Sequence, residues 1–225
     1  VDTFFSKEPE TIDWINNFNN NNKIIFWDIG ANIGLFSIYA AFMFDKIEVI
    51  SFEPSTSNLR ILSRNISINN LENKIKINQF PLTEKQNQYL LMKENDFVEG
   101  GALNSFGENF NFEGKVFKSK NNYKIYGTSI DFILKNNILD IPNYIKIDVD
   151  GIEHLILRGA KDFINNKNIK GLLIELNVDF KKQYNEVMQI MENSNFILIN
   201  KKQSNLINNS KKFSNTYNCI FSRKN

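Results

Sequence analysis

A single cysteine, Cys219, is the whole thiol content of this 225-residue chain, which excludes an internal disulfide framework and any cysteine-ligated zinc site. Histidine is as scarce, with His154 standing alone. No apolar stretch approaches the roughly 20 residues that a membrane span needs. Excess charge is missing too. With 27 Lys and Arg against 25 Asp and Glu, the formal net charge is +2, so nucleic-acid binding has no electrostatic support. No secretory leader is read at the start of the sequence, and the expected compartment is the cytoplasm. What is present, 42% hydrophobic and 23% charged residues, is the composition of a globular protein. The length suits one domain over residues 1–225 with a substantial core.

The chain is organised around Ile24 to Gly34, read as Ile-Ile-Phe-Trp-Asp-Ile-Gly-Ala-Asn-Ile-Gly. A continuous apolar run ends in an acid, followed by Gly30 and Gly34 and then by the helix-competent stretch Leu35 to Phe44. This predicts a buried strand, a tight turn, and a helix from about Ile33 to Phe44. Such a turn lets a ligand approach the backbone, and the free N–H groups of the helix start favour negative or polar ligand atoms.

Ahead of it, residues 1–22 form a lead-in, with a short helix predicted over Pro9 to Phe18 whose Thr11, Ile12, Trp14 and Ile15 give an apolar stripe. Asn19 to Asn22 is a polar break. A second strand, Glu48 to Glu53, is stopped by Pro54 and followed by a helix over Ser55 to Asn69. Glu53 lies 25 residues after Asp28, near the offset of about 20 at which nucleotide-binding folds place an acid for ribose hydroxyls. A third strand runs from Lys74 to Phe80, and the alternation of strand and helix argues for a parallel, doubly wound α/β sheet.

Tyr89 to Tyr126 is different, being polar, rich in Asn and Gly, and containing Glu99-Gly-Gly-Ala-Leu-Asn-Ser-Phe-Gly107. It reads equally as a substrate-side insertion over 89–126 or as a passive hairpin. After it come a helix over Thr128 to Lys135 capped by Thr128 or Ser129, a strand through Tyr144-Ile-Lys-Ile-Asp-Val-Asp-Gly-Ile-Glu153, and a helix through Ala160. A strand at Leu172 to Leu176, a helix over Phe180 to Met191, and two last strands at Phe196 to Ile199 and Tyr217 to Phe221 follow. Lys201 to Ser214 reads as an exposed hairpin.

In open α/β sheets ligands bind beyond the carboxyl ends of the strands. Carboxylates stand at four such ends: Asp28, Glu53, Asp148 with Asp150, and Glu175. One of them is as well explained as a helix cap or a loop charge. Four at equivalent points mark a site.

Phe26-Trp-Asp-Ile-Gly-Ala-Asn-Ile-Gly34, Ser51-Phe-Glu-Pro54 and Ile145-Lys-Ile-Asp-Val-Asp-Gly-Ile-Glu153, followed by Leu157-Arg-Gly-Ala160, resemble the FkbM-type S-adenosylmethionine-dependent methyltransferases. Glu8-Pro-Glu-Thr11 with Trp14, and Leu173-Ile-Glu175, fit the same pattern, so the resemblance runs from about Glu8 to Leu176. It implies a class I methyltransferase (Rossmann-like) fold, a seven-stranded sheet whose last strand is antiparallel. It also implies that Asp28, Gly30, Asn32 and Gly34 border the methionine end of the donor, that Glu53 takes the ribose hydroxyls, and that Gln79 and Phe80 lie near the adenine. Glu8, Ala31, Phe36 and Pro54 join the expected donor site. The implied reaction is O-methylation of a sugar, nucleotide-sugar or polysaccharide precursor, with secondary metabolites as the alternative acceptors. The family usually has Asp-Val-Glu-Gly where this chain has Asp148-Val-Asp-Gly151, one methylene shorter at Asp150.

The chemistry suits these residues. A sulfonium already activates the methyl group, so the enzyme must align an in-line displacement and take a proton from a weakly acidic hydroxyl. Lys146, Asp148, Asp150, Glu153 and His154 are the catalytic candidates; Lys146 pairs as readily with a buried acid, and Glu153 also suits a helix N-terminus electrostatically. Clustered carboxylates suit a hard divalent ion such as Mg, Mn or Fe, with Asp148 and Glu175 as expected ligands and Asp150 third. The expected partner is a small-molecule or nucleotide-sugar acceptor, with no nucleic acid and no membrane; an oligomer stays open. An NAD-dependent oxidoreductase would carry G-x-G-x-x-G, which is not the pattern here. A nucleic-acid amino-methylating enzyme often carries Asn/Asp-Pro-Pro-aromatic where this chain has Asp148-Val-Asp-Gly151.

Overall fold

The computed structural model describes residues 3–19 and 21–224. Two short helices, α1 (Phe4–Lys7) and α2 (Pro9–Asn16), lead into β1 (Ile24–Ile29), α3 (Leu35–Met43), β2 (Ile47–Phe52), α4 (Thr56–Ile68) and β3 (Ile75–Asn78). Three further strands follow, β4 (Gln88–Glu94), β5 (Ser105–Phe106) and β6 (Asn121–Gly127). The chain continues with α5 (Ile130–Lys135), β7 (Tyr144–Ile147), α6 (Glu153–Arg158), β8 (Gly171–Asn177) and α7 (Lys181–Asn193). It ends with β9 (Phe196–Lys202), α8 (Asn205–Asn208) and β10 (Thr216–Arg223).

Seven strands form one sheet in the order β3-β2-β1-β7-β8-β10-β9. The first five pair in parallel, and β10 runs antiparallel to both β8 and β9. The chain therefore winds outward from β1 to β3 and returns to the other side of β1 at β7. This reversal opens a crevice above the carboxyl ends of β1 and β7, where open α/β sheets bind ligands.

Alternation along the strands divides the core. Trp27, Ile29, Ile50 and Phe52 face α5, α6 and α7, while Ile24, Phe26, Val49 and Leu173 face α2, α3 and α4. Thr11, Ile12, Trp14 and Ile15 are buried, as the spacing in α2 predicts. Phe18 stacks on Tyr144 with ring centroids 3.9 Å apart, fastening the lead-in to the sheet. α5 is capped by Ser129, whose hydroxyl accepts from the Phe132 N–H.

Two connections carry more regular structure than their polar sequences suggest. The 89–126 stretch is mostly ordered: β4 and β6 form a long antiparallel pair, β5 adds an edge, and Met92 and Phe106 enter the main core. Phe106 is a single apolar position in a polar sequence, and Met92 ends a short apolar run with no alternation to mark its buried side. The 201–214 connection contains α8 rather than a plain hairpin, because Ser204 caps a helical turn by accepting from the Ile207 N–H. Among the described residues no helix is long and apolar enough to cross a membrane.

Two turns hold the crevice open. Gly30 has φ +83°, and a Cβ there would lie 1.9 Å from the carbonyl oxygen of Asp148. The turn after β7 has Asp150 at φ 63° and Gly151 at φ 126°, and Glu153 anchors it, one carboxylate oxygen accepting from the N–H groups of Val149 and Gly151, both at 3.2 Å. The Gln183 amide donates to the other oxygen. Burial pushes the Glu153 carboxyl up to about 8, against the pull of those backbone donors.

Gly30→Ala is expected to lower unfolding stability by roughly 3 kcal/mol or more, the sum of left-handed strain and backbone overlap; a denaturant midpoint within error of wild type would contradict it. A folded-state pKa above the ordinary value of 4.5 means stability present at low pH and lost as pH rises through about 8. Glu153→Gln cannot ionise, so its unfolding free energy relative to wild type should shift in the variant's favour between pH 5 and pH 8 by on the order of 2–4 kcal/mol. A pH-independent difference would contradict this.

Candidate functional site

The crevice is a cavity of about 370 Å³, a size that suits a small molecule. Three regions of different chemistry line it. The first is apolar: Pro81, Leu82, Met92, Phe106 and Phe52. The second is centred on Glu53, at the end of β2. Its carboxylate accepts from the N–H of Asn32 at 2.8 Å and of Ser55 at 2.8 Å. Burial raises it to about 7, although these two donors and the Asn58 amide pull the other way.

The third region is charged. Lys146, 1% exposed, points from β7 toward Asp148, 2.8 Å away, and Asp28, 3.8 Å away, with the Phe36 ring 5.2 Å below its ammonium. Register explains the meeting, since Asp28 and Lys146 are direct partners across β1 and β7. Burial alone would strip Lys146 of its proton, but Asp148, Asp28 and Glu8 hold its pKa above the ordinary lysine value. Burial likewise pushes Asp148 up, and Lys146 more than reverses this, so Asp148 stays ionised. Glu175 beside it is raised well above the ordinary range by burial and by the charges of Asp148, Glu8 and Asp150. Glu8 is raised by burial and by Asp148. Asp150, pushed by burial and by Asp148, is raised to about 6.

A strap over residues 99–104 closes one side. Its Gly101 carbonyl accepts from the amides of Asn32 and Asn58, both at 3.0 Å, and its Gly100 N–H donates to the Asn58 carbonyl oxygen at 2.9 Å. Farther along, Asp150 accepts from the N–H groups of Leu103 and Asn104, at 2.6 and 3.2 Å. Arg60 and Glu99 add an ion pair at 3.0 Å on the outer surface.

Of the residues selected from sequence, Glu8, Gly30, Ala31, Asn32, Phe36, Glu53, Pro54, Lys146, Asp148, Asp150 and Glu175 all line this one cavity. Six do not, and each for a physical reason. Asp28 is buried underneath, accepting from the Ser37 hydroxyl at 2.6 Å, with Ser37 and Ser51 sharing a further bond at 2.7 Å. Gly34 caps α3 in the left-handed conformation and faces Leu62. β3 ends at Asn78, leaving Gln79 exposed and turning Phe80 onto Phe52, so that Pro81 and Leu82 occupy the position expected of them. Glu153 fastens the turn from behind. His154 is 2% exposed on the opposite face, between Phe110 and Phe180, where burial lowers its pKa to about 4.

The expected metal centre does not fit either. Among the described residues no three His, Cys, Asp or Glu side chains are grouped to hold an ion. The Lys146 ammonium already pairs with Asp148, and burial with neighbouring charges raises Glu175 well above the ordinary carboxyl range, which disfavours the ionised form a hard cation needs. The strap belongs to the Glu99–Gly107 stretch that the sequence offers as a substrate-side insertion, whereas Asn58, Phe4, Ile207 and Phe213 line the cavity with no motif to mark them.

The model of the methyltransferase FkbM domain matches residues 28–198. No curated protein sequence matches the chain. Solved structures with a similar fold include an rRNA methylase from Streptococcus thermophilus, at 10% identity and TM-score 0.57, covering 96% of this chain and 95% of that one. Precorrin-6y C5,15-methyltransferase from Geobacter metallireducens aligns at 11% identity and TM-score 0.55, over 97% and 87% of the two chains. TrmK of M. capricolum, solved with S-adenosyl-homocysteine, aligns at 15% identity and TM-score 0.51, over 95% and 67%. Such identities speak for the fold alone. With its seven-stranded sheet ending in an antiparallel strand, and with most of its length matched by the family model, the chain belongs to the FkbM family of S-adenosylmethionine-dependent methyltransferases.

Proposed function

We propose that the cavity binds S-adenosylmethionine and that the protein transfers its methyl group to a hydroxyl of a sugar, nucleotide-sugar or polysaccharide precursor. One observation carries this reading: Glu53 and the group Asp148, Asp150 and Glu175 face the same cavity from neighbouring strand ends. The donor's chemistry fits the three regions in sequence. A flat purine suits the apolar walls of Pro81, Leu82, Met92 and Phe106, vicinal hydroxyls suit a carboxylate at Glu53, and an amino-acid zwitterion suits Lys146 with Glu8.

When bound, S-adenosylmethionine supplies a methyl group activated by its sulfonium. The side chains must then position an acceptor oxygen and remove its proton. Asp148 is a weak base because Lys146 stabilises its ionised form. Glu175 is raised well above the ordinary carboxyl range by burial and by the charge of Asp148. His154 is remote. Asp150, raised to about 6, is ionised at neutral pH yet basic enough to accept a proton, and it lines the cavity. In this reading Asp150 takes the hydroxyl proton as the oxygen attacks, and Lys146 keeps Asp148 charged to orient the acceptor. No step runs through a metal.

Asp150→Asn preserves the acceptor oxygen for the strap N–H groups while removing the base. With methyl transfer followed as S-adenosylhomocysteine release across a panel of sugars and nucleotide sugars, the variant should lose roughly 10²–10⁴-fold in kcat, and the wild-type rate should climb as pH passes about 6. Full activity in the variant, or a flat profile from pH 5 to 7, would contradict the assignment.

A further inference from the structure

The charged end of the cavity is walled by segments from outside the matched domain, which spans residues 28–198. Phe4, Lys7 and Glu8 come from the lead-in, and Ile207 and Phe213 from the β9–β10 connection. The two segments meet, with α1 packing against α8. Phe4 is supported from within the fold by Phe36, at 5.5 Å between ring centroids, and by Tyr39, at 5.8 Å. On the other side Phe213 lies 5.3 Å from Phe112.

Each aromatic wall carries a cation. The Lys7 ammonium is 3.5 Å from Glu8 with its side chain 59% exposed, and it acts electrostatically on Asp148. The Lys212 ammonium lies 5.6 Å from the Phe213 ring centroid and 6.0 Å from that of Phe112, and it acts on Asp150. Both lysines thus stand at the cavity's edge, Lys7 against its lining residue Glu8 and Lys212 over its lining residue Phe213. A floor of carboxylates suits sugar hydroxyls, whereas the basic rim of Lys7 and Lys212 beside the aromatic walls gives a neutral free sugar nothing to pair with and suits an anionic group joined to a planar one.

Building on the hydroxyl-methylation reading above, we propose that the acceptor carries a planar apolar group and a phosphate charge besides its sugar hydroxyl. A nucleoside-diphosphate sugar has that make-up. Its base packs against Phe213, its diphosphate meets Lys212 and Lys7, and its sugar hydroxyls reach Asp148 and Asp150. Phe213 and Lys212 then determine acceptor choice and leave the donor untouched.

Calorimetric titration of the protein saturated with S-adenosylhomocysteine tests this, using UDP-glucose and glucose as probes. UDP-glucose should bind and glucose should bind at least roughly tenfold more weakly. Phe213→Ala and Lys212→Met should each weaken UDP-glucose by roughly tenfold with unchanged affinity for S-adenosylhomocysteine. Absence of UDP-glucose binding, equal binding of glucose, or indifference to both substitutions would overturn the proposal while the donor reading stands. Failure of S-adenosylhomocysteine itself to bind would overturn the donor reading and this one with it.

Discussion

An ammonium group taken out of water costs several kcal/mol unless carboxylates compensate it, and Lys146 is such a group, buried at the midpoint of the sheet. Asp148 and Asp28 compensate it from two strands, and Asp28 is in turn bonded to Ser37 of α3, which shares a bond with Ser51 of β2. One buried charge thus ties β1, β2, β7 and α3 together beneath the crevice. It also settles how protons are shared above. One ammonium cannot offset the burial of every acid around it: Asp148, the nearest, is held ionised, while burial raises Glu175, Glu8 and Asp28. Asp150, at the far side of this group and raised to about 6, is left to titrate near neutrality.

The strap depends on the same strand ends. Its polar fasteners, Asn32, Asn58 and Asp150, follow β1, β2 and β7, and each also lines the cavity. Cover and floor are therefore made by one set of residues, and a ligand entering beneath the strap meets side chains already held in place. Preorganisation of this kind is what an in-line methyl displacement needs, since the electrophile is supplied ready-made and alignment is the enzyme's task.

Much of the fold was legible because it rests on local pattern. The apolar run ending at Asp28, the Gly30 turn and the period of α2 are short-range signals, and the strand ends carrying Glu53, Asp148 and Glu175 follow from them. Depth was less legible. Nothing in the sequence says that Asp28 lies under the cavity floor while Asp148 lies in it, because that depends on register across β1 and β7. His154 looked chemically apt, and tertiary packing turned it onto the apolar face beside Phe110 and Phe180. The metal expectation meets the same limit: the acids at the strand ends are visible in sequence, and so is Lys146 as a partner for one of them, but which acid it pairs with depends on the register that sets it against Asp148 and Asp28. Phe4 and Phe213 are separated by most of the chain, and only the folded chain, with α1 packed against α8, brings them to one cavity.

The central claim is that a carboxylate at the end of β2 holds a donor's ribose. Calorimetric titration with S-adenosylhomocysteine, on wild type and on Glu53→Gln, tests it most directly. The account predicts tight binding to the wild type and a loss of at least roughly tenfold in the folded variant, as expected when one charge-assisted pair of hydrogen bonds is removed. Equal binding by the two proteins, or none by the wild type, would contradict it.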